Sequence, residues 1–104
     1  MRYALLRTEH ANDQLVDLLR YTAELSQSYD TALSLLERIE RGLEILTSAP
    51  HSGSYPRFRH LKRQGYRVLI VEKILIFYKC DDEKRTVTVY HMVDSRTNYG
   101  AYLK

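Results

Sequence analysis

The spacing of apolar residues changes at Tyr66, and this change restricts the fold more than any other feature of the chain. Over residues 9–48, apolar side chains recur every three or four positions, which is the period of one face of an α-helix. Beyond Tyr66 they form short runs or alternate with polar residues, as in β-strands. The sequence therefore predicts an α+β fold in which helices precede most of the sheet.

Two amphipathic helices are predicted in the first half of the chain. The first covers about residues 9–26 and follows Thr8, a residue type that favours helix starts. The second follows a linker of cap-forming residues over 26–30 and runs to about Ser48, where Pro50 ends it. The predicted apolar stripes are Ala11, Leu15, Leu18, Leu19, Thr22 and Leu25 in the first helix and Ala32, Leu35, Leu36, Ile39, Leu43 and Leu46 in the second. The short linker predicts a helical hairpin.

Strands are predicted on both sides of this hairpin. A short strand over residues 3–7 precedes the helices, and strands over 67–71, 74–78 and 86–93 follow them. In the last strand, His91 falls in the alternating set that contains the valines. Short connections predict an antiparallel meander for the last three strands, with the hairpin packed on one face of the sheet.

Length and composition predict a single domain, residues 1–104. No apolar run reaches the roughly 18 residues of a membrane-spanning helix, so we expect no membrane partner. Residues 1–7 are too short and too soon interrupted for a signal peptide. Cys80 is the only cysteine, so an internal disulfide cannot form and a reducing compartment is the simpler expectation.

Positive charge is concentrated in the second half of the chain. Residues 1–49 hold 5 Lys and Arg against 8 Asp and Glu, whereas residues 50–104 hold 11 against 5. A stretch of eleven residues without an acid contains Arg57, Arg59, Lys62, Arg63 and Arg67. Such an asymmetry indicates a polyanionic partner or a solvated basic surface.

We expect this basic stretch to bind a target. Arginine forks bind phosphates and aromatic faces stack on exposed bases, so a basic stretch interleaved with Tyr55, Phe58, His60 and Tyr66 suits RNA or single-stranded nucleic acid. It suits an acidic protein segment equally well. The alternation over residues 57–60 predicts a short edge strand that presents the arginines on one side.

Candidate catalytic residues lie near the C-terminal end. His91 has an unperturbed pKa near neutrality and could act as a general acid or base, although a packed strand histidine is the more frequent outcome. Arg96 and Tyr99, with Tyr102 beyond, could hold a phosphate and a base, or could tie the tail onto the sheet. Neither a metal nor a cofactor is expected, since no His or Cys spacing suits a metal and no glycine-rich phosphate loop is present.

Three stretches of the second half form a recognisable pattern, and they are Tyr66–Val71, Ile74–Tyr78 and Val89–Arg96, continuing to Tyr99. Together with the helical hairpin before them, they resemble the RelE/ParE toxin superfamily. The resemblance implies the toxin of a bacterial, cytoplasmic type II toxin–antitoxin pair, associated with plasmid stabilisation and growth inhibition. It also implies a cognate antitoxin that wraps the toxin surface, and a higher-order complex of the two.

The resemblance implies two mechanisms. RelE-like members cut messenger RNA on the ribosome with basic residues and a C-terminal arginine and aromatic residue, whereas ParE-like members share the fold and block DNA gyrase. RelE-like sequences commonly carry an arginine where this chain has Leu75. An aliphatic side chain cannot donate to a phosphate, so this departure favours the ParE-like branch.

We therefore expect a ParE-like toxin that inhibits DNA gyrase. The residues expected to contact the target are Arg57, Arg59, Lys62, Arg63, Arg67 and Arg96. One alternative is a RelE-like ribosome-dependent endoribonuclease, whose catalytic residues would be His91, Arg96, Tyr99 and Tyr102. Another is a non-toxic subunit that binds the antitoxin within a repressor complex.

Overall fold

The computed structural model of the protein describes residues 2–101 and 103. Its elements are β1 (Ala4–Arg7), α1 (Glu9–Ser26), α2 (Tyr29–Ser48), α3 (Arg59–Arg63), β2 (Arg67–Val71), β3 (Ile74–Asp81), β4 (Thr86–Asp94) and a 3₁₀ helix (Tyr99–Ala101). This order confirms the predicted α+β class and adds α3. Among the described residues, no helix is both long and apolar enough to cross a membrane.

Within the described residues, the strands form one open mixed sheet in the order β1-β4-β3-β2. β2, β3 and β4 form the predicted antiparallel meander. β1 pairs in parallel with β4, with Ala4 opposite Thr86 and Arg7 opposite Val89. The α1–α2 hairpin supplies much of the long crossover that a parallel pair requires.

The bounds of α1 and the end of α2 agree with the prediction, whereas α2 begins at Tyr29, inside the predicted linker over residues 26–30. Local capping contacts account for these bounds. The Thr8 side chain accepts a hydrogen bond of 3.0 Å from the Ala11 N–H, and the Ser28 side chain accepts one of 3.3 Å from the Thr31 N–H. Gln27 adopts a left-handed conformation with a φ of 54°, which ends α1 and leads the chain into α2.

α1 and α2 pack on one face of the sheet, which we call the hairpin face. Its buried core consists of Ala11, Leu15, Leu35, Ile39, Leu43, Leu46, Ile74, Ile76, Tyr78, Val87, Val89 and Met92. The predicted stripes supply all the helix residues of this core. Leu25 was placed in the stripe wrongly, since its side chain is 69% exposed. The buried residues of α1 are Ala11 and Leu15, and Leu18 and Leu19 pack against the core while partly exposed.

A β-bulge divides β4 into two registers. Tyr78 of β3 pairs with Val89, and the preceding Phe77 pairs with His91. Tyr90 is therefore an extra residue between two paired positions. An inserted residue shifts the alternation of side chains by one position in everything that follows it.

After the bulge, each residue of β4 lies on the face opposite to the one that strict alternation would give it. Val87 and Val89 lie in the hairpin-face core before the bulge, and Met92 does so after it. Val93 lies in the core of the opposite face. The prediction that His91 shares a face with the valines before it is wrong, because strict alternation does not survive an inserted residue.

The opposite face of the sheet, which we call the α3 face, is covered by α3 and the C-terminal segment. Its core consists of Leu61, Tyr66, Val68, Leu75, Phe77, Val93, Tyr99 and Leu103. The prediction of an edge strand over residues 57–60 is wrong, since residue 59 begins α3. A strand would point Leu61 to the same side as the arginines, whereas a helical turn buries Leu61 and leaves the cations in water.

Candidate functional site

Five of the basic residues predicted to contact a target lie on or beside α3. Three project from the helix, one precedes it and one begins β2. This set, which we call the basic patch, consists of Arg57, Arg59, Lys62, Arg63 and Arg67. All of its members except Arg67 are exposed. The structure thus places these five residues in one region, with Leu61 as the buried anchor of α3.

The exposed ring of Tyr55 contacts two members of the basic patch. The Nζ of Lys62 lies 4.5 Å from the ring centroid and the Cζ of Arg67 lies 4.7 Å from it, both within cation–π range. Arg67 is also fixed by a hydrogen bond of 3.0 Å that its Nη1 donates to the Gly53 carbonyl oxygen. The ring thus holds two cations near each other.

The chain before Tyr55 is fixed to β3 by polar contacts. The Tyr78 hydroxyl donates to the Pro50 carbonyl oxygen at 3.0 Å and accepts from the Gly53 N–H at 2.9 Å. The Cys80 thiol donates to the same carbonyl oxygen at 2.9 Å. Burial raises the pKa of the Tyr78 hydroxyl and of the Cys80 thiol, so both stay protonated and able to donate. β3 thereby helps to position Tyr55 and the cations on it.

No carboxylate forms an ion pair with the basic patch in the part of the chain that the structure describes. Other arginines have acidic partners, and the pairs are Arg2 with Glu44, Arg20 with Asp17, Arg38 with Glu72, Arg41 with Glu37 and Arg96 with Asp94. The positive charge of the patch is therefore uncompensated by the protein and available to an anionic partner.

His91 lies on the α3 face beside Tyr66. Its Nε2 is 3.4 Å from the Tyr66 hydroxyl oxygen, and its Nδ1 is buried without a hydrogen-bond partner among the described residues. The ring of His10 in α1 meets that of His91 edge-on, with centroids 5.5 Å apart. Burial, followed by the neighbouring His10 and Lys79, lowers the pKa of His91. The imidazole is therefore neutral at pH 7 and able to accept a proton.

Lys79 is a cation of the α3 face that the sequence analysis did not single out. Its Nζ lies 4.6 Å from the ring centroid of Tyr66 and 5.2 Å from that of Tyr90. Lys79 lies one residue beyond the predicted strand over residues 74–78. The observed β3 runs on to Asp81, so Lys79 follows Phe77 by two positions and shares its face. Nothing in the sequence indicated the bulge, which places Tyr90 and His91 on this same face.

Arg96 is bound to Asp94 and lies apart from the basic patch. Its Nη2 donates to one Asp94 carboxylate oxygen at 2.6 Å, and its Nε donates to the other at 2.9 Å. This pairing lowers the pKa of Asp94 to about 2. Asp94 is paired with Ile74 at the start of β3. Arg67 is paired with Tyr78, four residues along the same strand, which is about 13 Å away.

The predicted catalytic residues are not brought together in the described structure. Tyr99 is buried on the α3 face, with its ring centroid 5.4 Å from that of Phe58. Arg96 instead lines a groove beside α1 together with Tyr21. Arg96 and Tyr99 therefore lie on different sides of the sheet. Tyr102 lies outside the described residues.

The described residues form no metal centre. Within residues 2–101 and 103, no three His, Cys, Asp or Glu side chains are grouped so that they could hold a metal ion. The edge-on pair of His10 and His91 has no third ligand beside it.

The outer side of the helical hairpin carries an apolar groove. It lies between α1 and α2 and has a volume of about 720 Å³. Among its lining residues, Val16, Leu33 and Tyr29 expose 44%, 55% and 83% of their surface. A contiguous exposed apolar surface of this kind is typical of a protein–protein interface.

Two solved structures of toxin–antitoxin systems share this fold. The RelBE2 toxin–antitoxin complex from Mycobacterium tuberculosis contains a chain that is 18% identical, with a TM-score of 0.63, and the match covers 90% of this chain and 99% of that one. The chromosomal ParDE system from P. aeruginosa contains a chain that is 14% identical, with a TM-score of 0.71, covering 89% and 96%. No match was found among curated proteins.

The family is given by the sequence itself. Residues 5–99 match the family described as the ParE toxin of the type II toxin–antitoxin system, parDE. The match spans nearly the whole chain, and the protein belongs to this toxin family. The predicted resemblance to the RelE/ParE superfamily is thereby confirmed.

Proposed function

We propose that this protein inhibits DNA gyrase as the toxin half of a type II toxin–antitoxin pair, with residues 1–104 acting as one domain in the bacterial cytoplasm. The observation that carries the proposal is the separation of Arg96 from Tyr99. The resemblance implies that RelE-like cleavage uses an arginine and an aromatic residue near the C-terminus together, and a charged group must lie at the reacting phosphate to stabilise its transition state. Arg96 is instead bound to Asp94, and Tyr99 is buried on the other side of the sheet.

In this proposal the basic patch contacts the target. A toxin that blocks a larger enzyme needs a binding surface but no assembled catalytic centre, and the patch supplies exposed, uncompensated charge. Arg96 was also predicted to contact the target. Its charge is already balanced by Asp94, so we assign it a smaller share of the binding.

The proposal includes a cognate antitoxin that covers the groove between α1 and α2. The exposed apolar groups of Val16, Tyr29 and Leu33 suit an amphipathic segment of a partner protein. Growth arrest relieved by this partner, together with a higher-order complex of the two chains, would serve plasmid stabilisation.

A supercoiling assay with purified gyrase and relaxed plasmid tests the proposal. The wild-type protein should abolish supercoiling, and Lys62→Gln combined with Arg63→Gln should require a several-fold higher concentration. Arg41→Gln is the matched control, because it removes an exposed cation of α2 that is paired with Glu37. Gyrase that keeps its full activity at saturating toxin contradicts the proposal.

The alternative function is ribosome-dependent cleavage of messenger RNA, and the neutral imidazole of His91 favours it. His91 lies beside the Tyr66 hydroxyl, and Lys79 lies on the same face, so a base and a cation are near each other. Codon-positioned cleavage of messenger on purified ribosomes, lost in His91→Gln while gyrase is unaffected, would support it over gyrase inhibition. Absence of growth arrest on expression would instead indicate a non-toxic antitoxin-binding subunit.

A further inference from the structure

The contacts of Tyr55 show that the basic patch is organised for a ligand. Lys62 and Arg67 lie within 4.5 and 4.7 Å of the same ring centroid, so the two charged groups are no more than about 9 Å apart. Like charges at this separation repel each other. The aromatic ring offsets part of this repulsion through its negative face. The exposed ring of Tyr55 therefore holds two cations close together.

The arginines of α1 and α2 contrast with this arrangement, because carboxylates within the protein neutralise their charge. Each of the arginines in α1 and α2 forms an ion pair with a carboxylate, and the pairs are Arg20 with Asp17, Arg38 with Glu72 and Arg41 with Glu37. In the described residues, none of the five cations of the basic patch does so. An anionic partner would therefore supply the counter-charge for the cations of the basic patch.

The aromatic residues around the patch select duplex over single-stranded nucleic acid. Single strands are bound by stacking unpaired bases on exposed aromatic rings. The ring of Tyr55 is occupied by two cations, Tyr66 is buried, and Phe58 packs against Tyr99 and Gly100. A duplex presents its phosphates without unstacked bases and needs only cations.

The distribution of exposed apolar residues argues against an acidic protein as the occupant. Protein interfaces are anchored by buried aromatic and aliphatic side chains. Most exposed large apolar residues of this chain lie on α1 and α2, and they are Val16, Tyr21, Leu25, Tyr29, Leu33 and Ile45. Tyr55 at the basic patch is also exposed, but its ring contacts two of the cations.

We propose that the basic patch binds the phosphate backbone of duplex DNA, and that Tyr55 is the residue that positions Lys62 and Arg67 for it. The inference rests on the proposed function and deepens it, since it assigns the target-binding surface to the DNA on which gyrase acts. Arginine forks and a lysine ammonium supply the hydrogen bonds and charge that phosphate oxygens accept. No base is read, so binding is independent of sequence.

Fluorescence anisotropy with a labelled 20-base-pair duplex, titrated with the full-length protein over a range of salt concentrations, tests the inference. Five phosphate contacts predict a slope of about −4 to −5 for log K against log salt, because each contact contributes about −0.9. Lys62→Gln should reduce the size of this slope by about 0.9. Arg41→Gln, the matched control, should leave both slope and affinity unchanged.

The role of Tyr55 has its own variants. Tyr55→Leu keeps the net charge but removes the ring, and it should weaken duplex binding several-fold. Tyr55→Phe keeps the ring and should restore binding to near the wild-type value. Thermal unfolding of each variant shows that the fold is intact. Loss of affinity in both variants with unchanged melting would overturn positioning by the ring, since it would assign the effect to the hydroxyl, which accepts a hydrogen bond of 3.5 Å from Nη2 of Arg67.

Three results would overturn the DNA assignment. One is a slope that Lys62→Gln leaves unchanged, and another is tighter binding of a single strand of the same sequence. The third is competition by a polyglutamate peptide at a lower concentration than unlabelled duplex, which would indicate an acidic protein partner. Gyrase assays keep the two proposals separate. Gyrase inhibition that persists in variants unable to bind DNA removes only this inference, whereas DNA binding without gyrase inhibition removes the proposed function.

Discussion

The two faces of the sheet are closed in different ways. On the hairpin face, two long helices bury aliphatic residues against every second position of the strands. On the α3 face, a five-residue helix and a 3₁₀ turn bring together aromatic rings, with Phe58, Tyr66 and Tyr99 in edge contact with their neighbours. The first face is regular and uncharged, whereas the second admits His91 and Lys79 beside its core.

This difference separates stability from binding. Aliphatic residues in long helices bury a large area with few polar groups to satisfy, so the hairpin face supplies most of the folding free energy. The α3 face is covered by short segments. Between short segments a cation can reach the solvent, whereas the packed surface of a long helix would exclude it. The four predictions that follow test this division, from the largest expected effect to the smallest.

Removing a fully buried side chain from the hairpin face should have the largest effect on stability. Ile39 is completely buried in α2, so Ile39→Ala should lower the free energy of unfolding by about 2–5 kcal/mol, measured by urea denaturation. Ile45→Ala on the same helix is the control, because Ile45 is 58% exposed and its loss should cost under about 0.5 kcal/mol. Equal losses in the two variants would contradict the division.

A small addition to the α3 face should have a smaller and more local effect. A Cβ at residue 100 would overlap the Phe58 ring, so Gly100→Ala should cost about 1–3 kcal/mol. Hydrogen exchange should show faster opening of α3, with α1 and α2 unaffected. Combining it with Phe58→Leu, which removes part of the obstructing ring, should recover part of the loss. Uniform destabilisation of both faces would show that they unfold as one unit.

Removing the cap of α1 should cost about 1 kcal/mol. In Thr8→Ala, the Ala11 N–H loses its hydrogen bond to the side-chain oxygen. Thr8→Ser keeps that oxygen and should stay within a few tenths of a kcal/mol of the wild type. Thermal unfolding of both variants provides the comparison. A Thr8→Ser variant as unstable as Thr8→Ala would show that the methyl group, not the cap, is responsible.

Acid should act on the α3 face through His91. Burial lowers the pKa of His91 in the folded state, so between that pKa and the unfolded value of about 6.5 the unfolded chain binds the extra proton. Stability relative to neutral pH should therefore fall as the pH drops below about 6.5. His91→Gln lacks this titration, and its melting temperature should decline less between pH 7 and pH 5. Parallel declines in the two proteins would assign the acid sensitivity to another group.

The parts of the fold that the sequence predicts are those governed by neighbouring residues. The bounds of α1 and the end of α2 were predicted because Thr8 caps α1 within three residues and Pro50 lies two residues beyond α2. α2 begins at Tyr29, inside the predicted linker over residues 26–30, because Ser28 caps it. The antiparallel meander follows from the shortness of its turns. The RelE/ParE resemblance was visible because it rests on three strand stretches that keep their order.

The parts that the sequence does not reveal depend on partners distant in the chain. The clustering of Tyr55 with Lys62 and Arg67 requires the loop before it to be bound by Tyr78 and Cys80 of β3. The alternation of residue types could not predict a helix over residues 59–63, because that helix depends on the burial of Leu61 in the core of the α3 face. Arg96 and Tyr99 are close in sequence, yet Arg96 lies beside α1 and Tyr99 packs in the core of the α3 face.

Because Tyr90 is an extra residue in β4, the kinds of side chain on each face of the strand differ before and after it. Before Tyr90, the residues that face away from the aliphatic core are Thr86 and Thr88. After it, His91 occupies the position that strict alternation would place in that core. Uninterrupted pleating of the same residues, with Tyr90 paired, would turn His91 into the aliphatic core and Met92 away from it. The bulge, rather than the identity of any one side chain, therefore decides on which face the strand presents its titratable group.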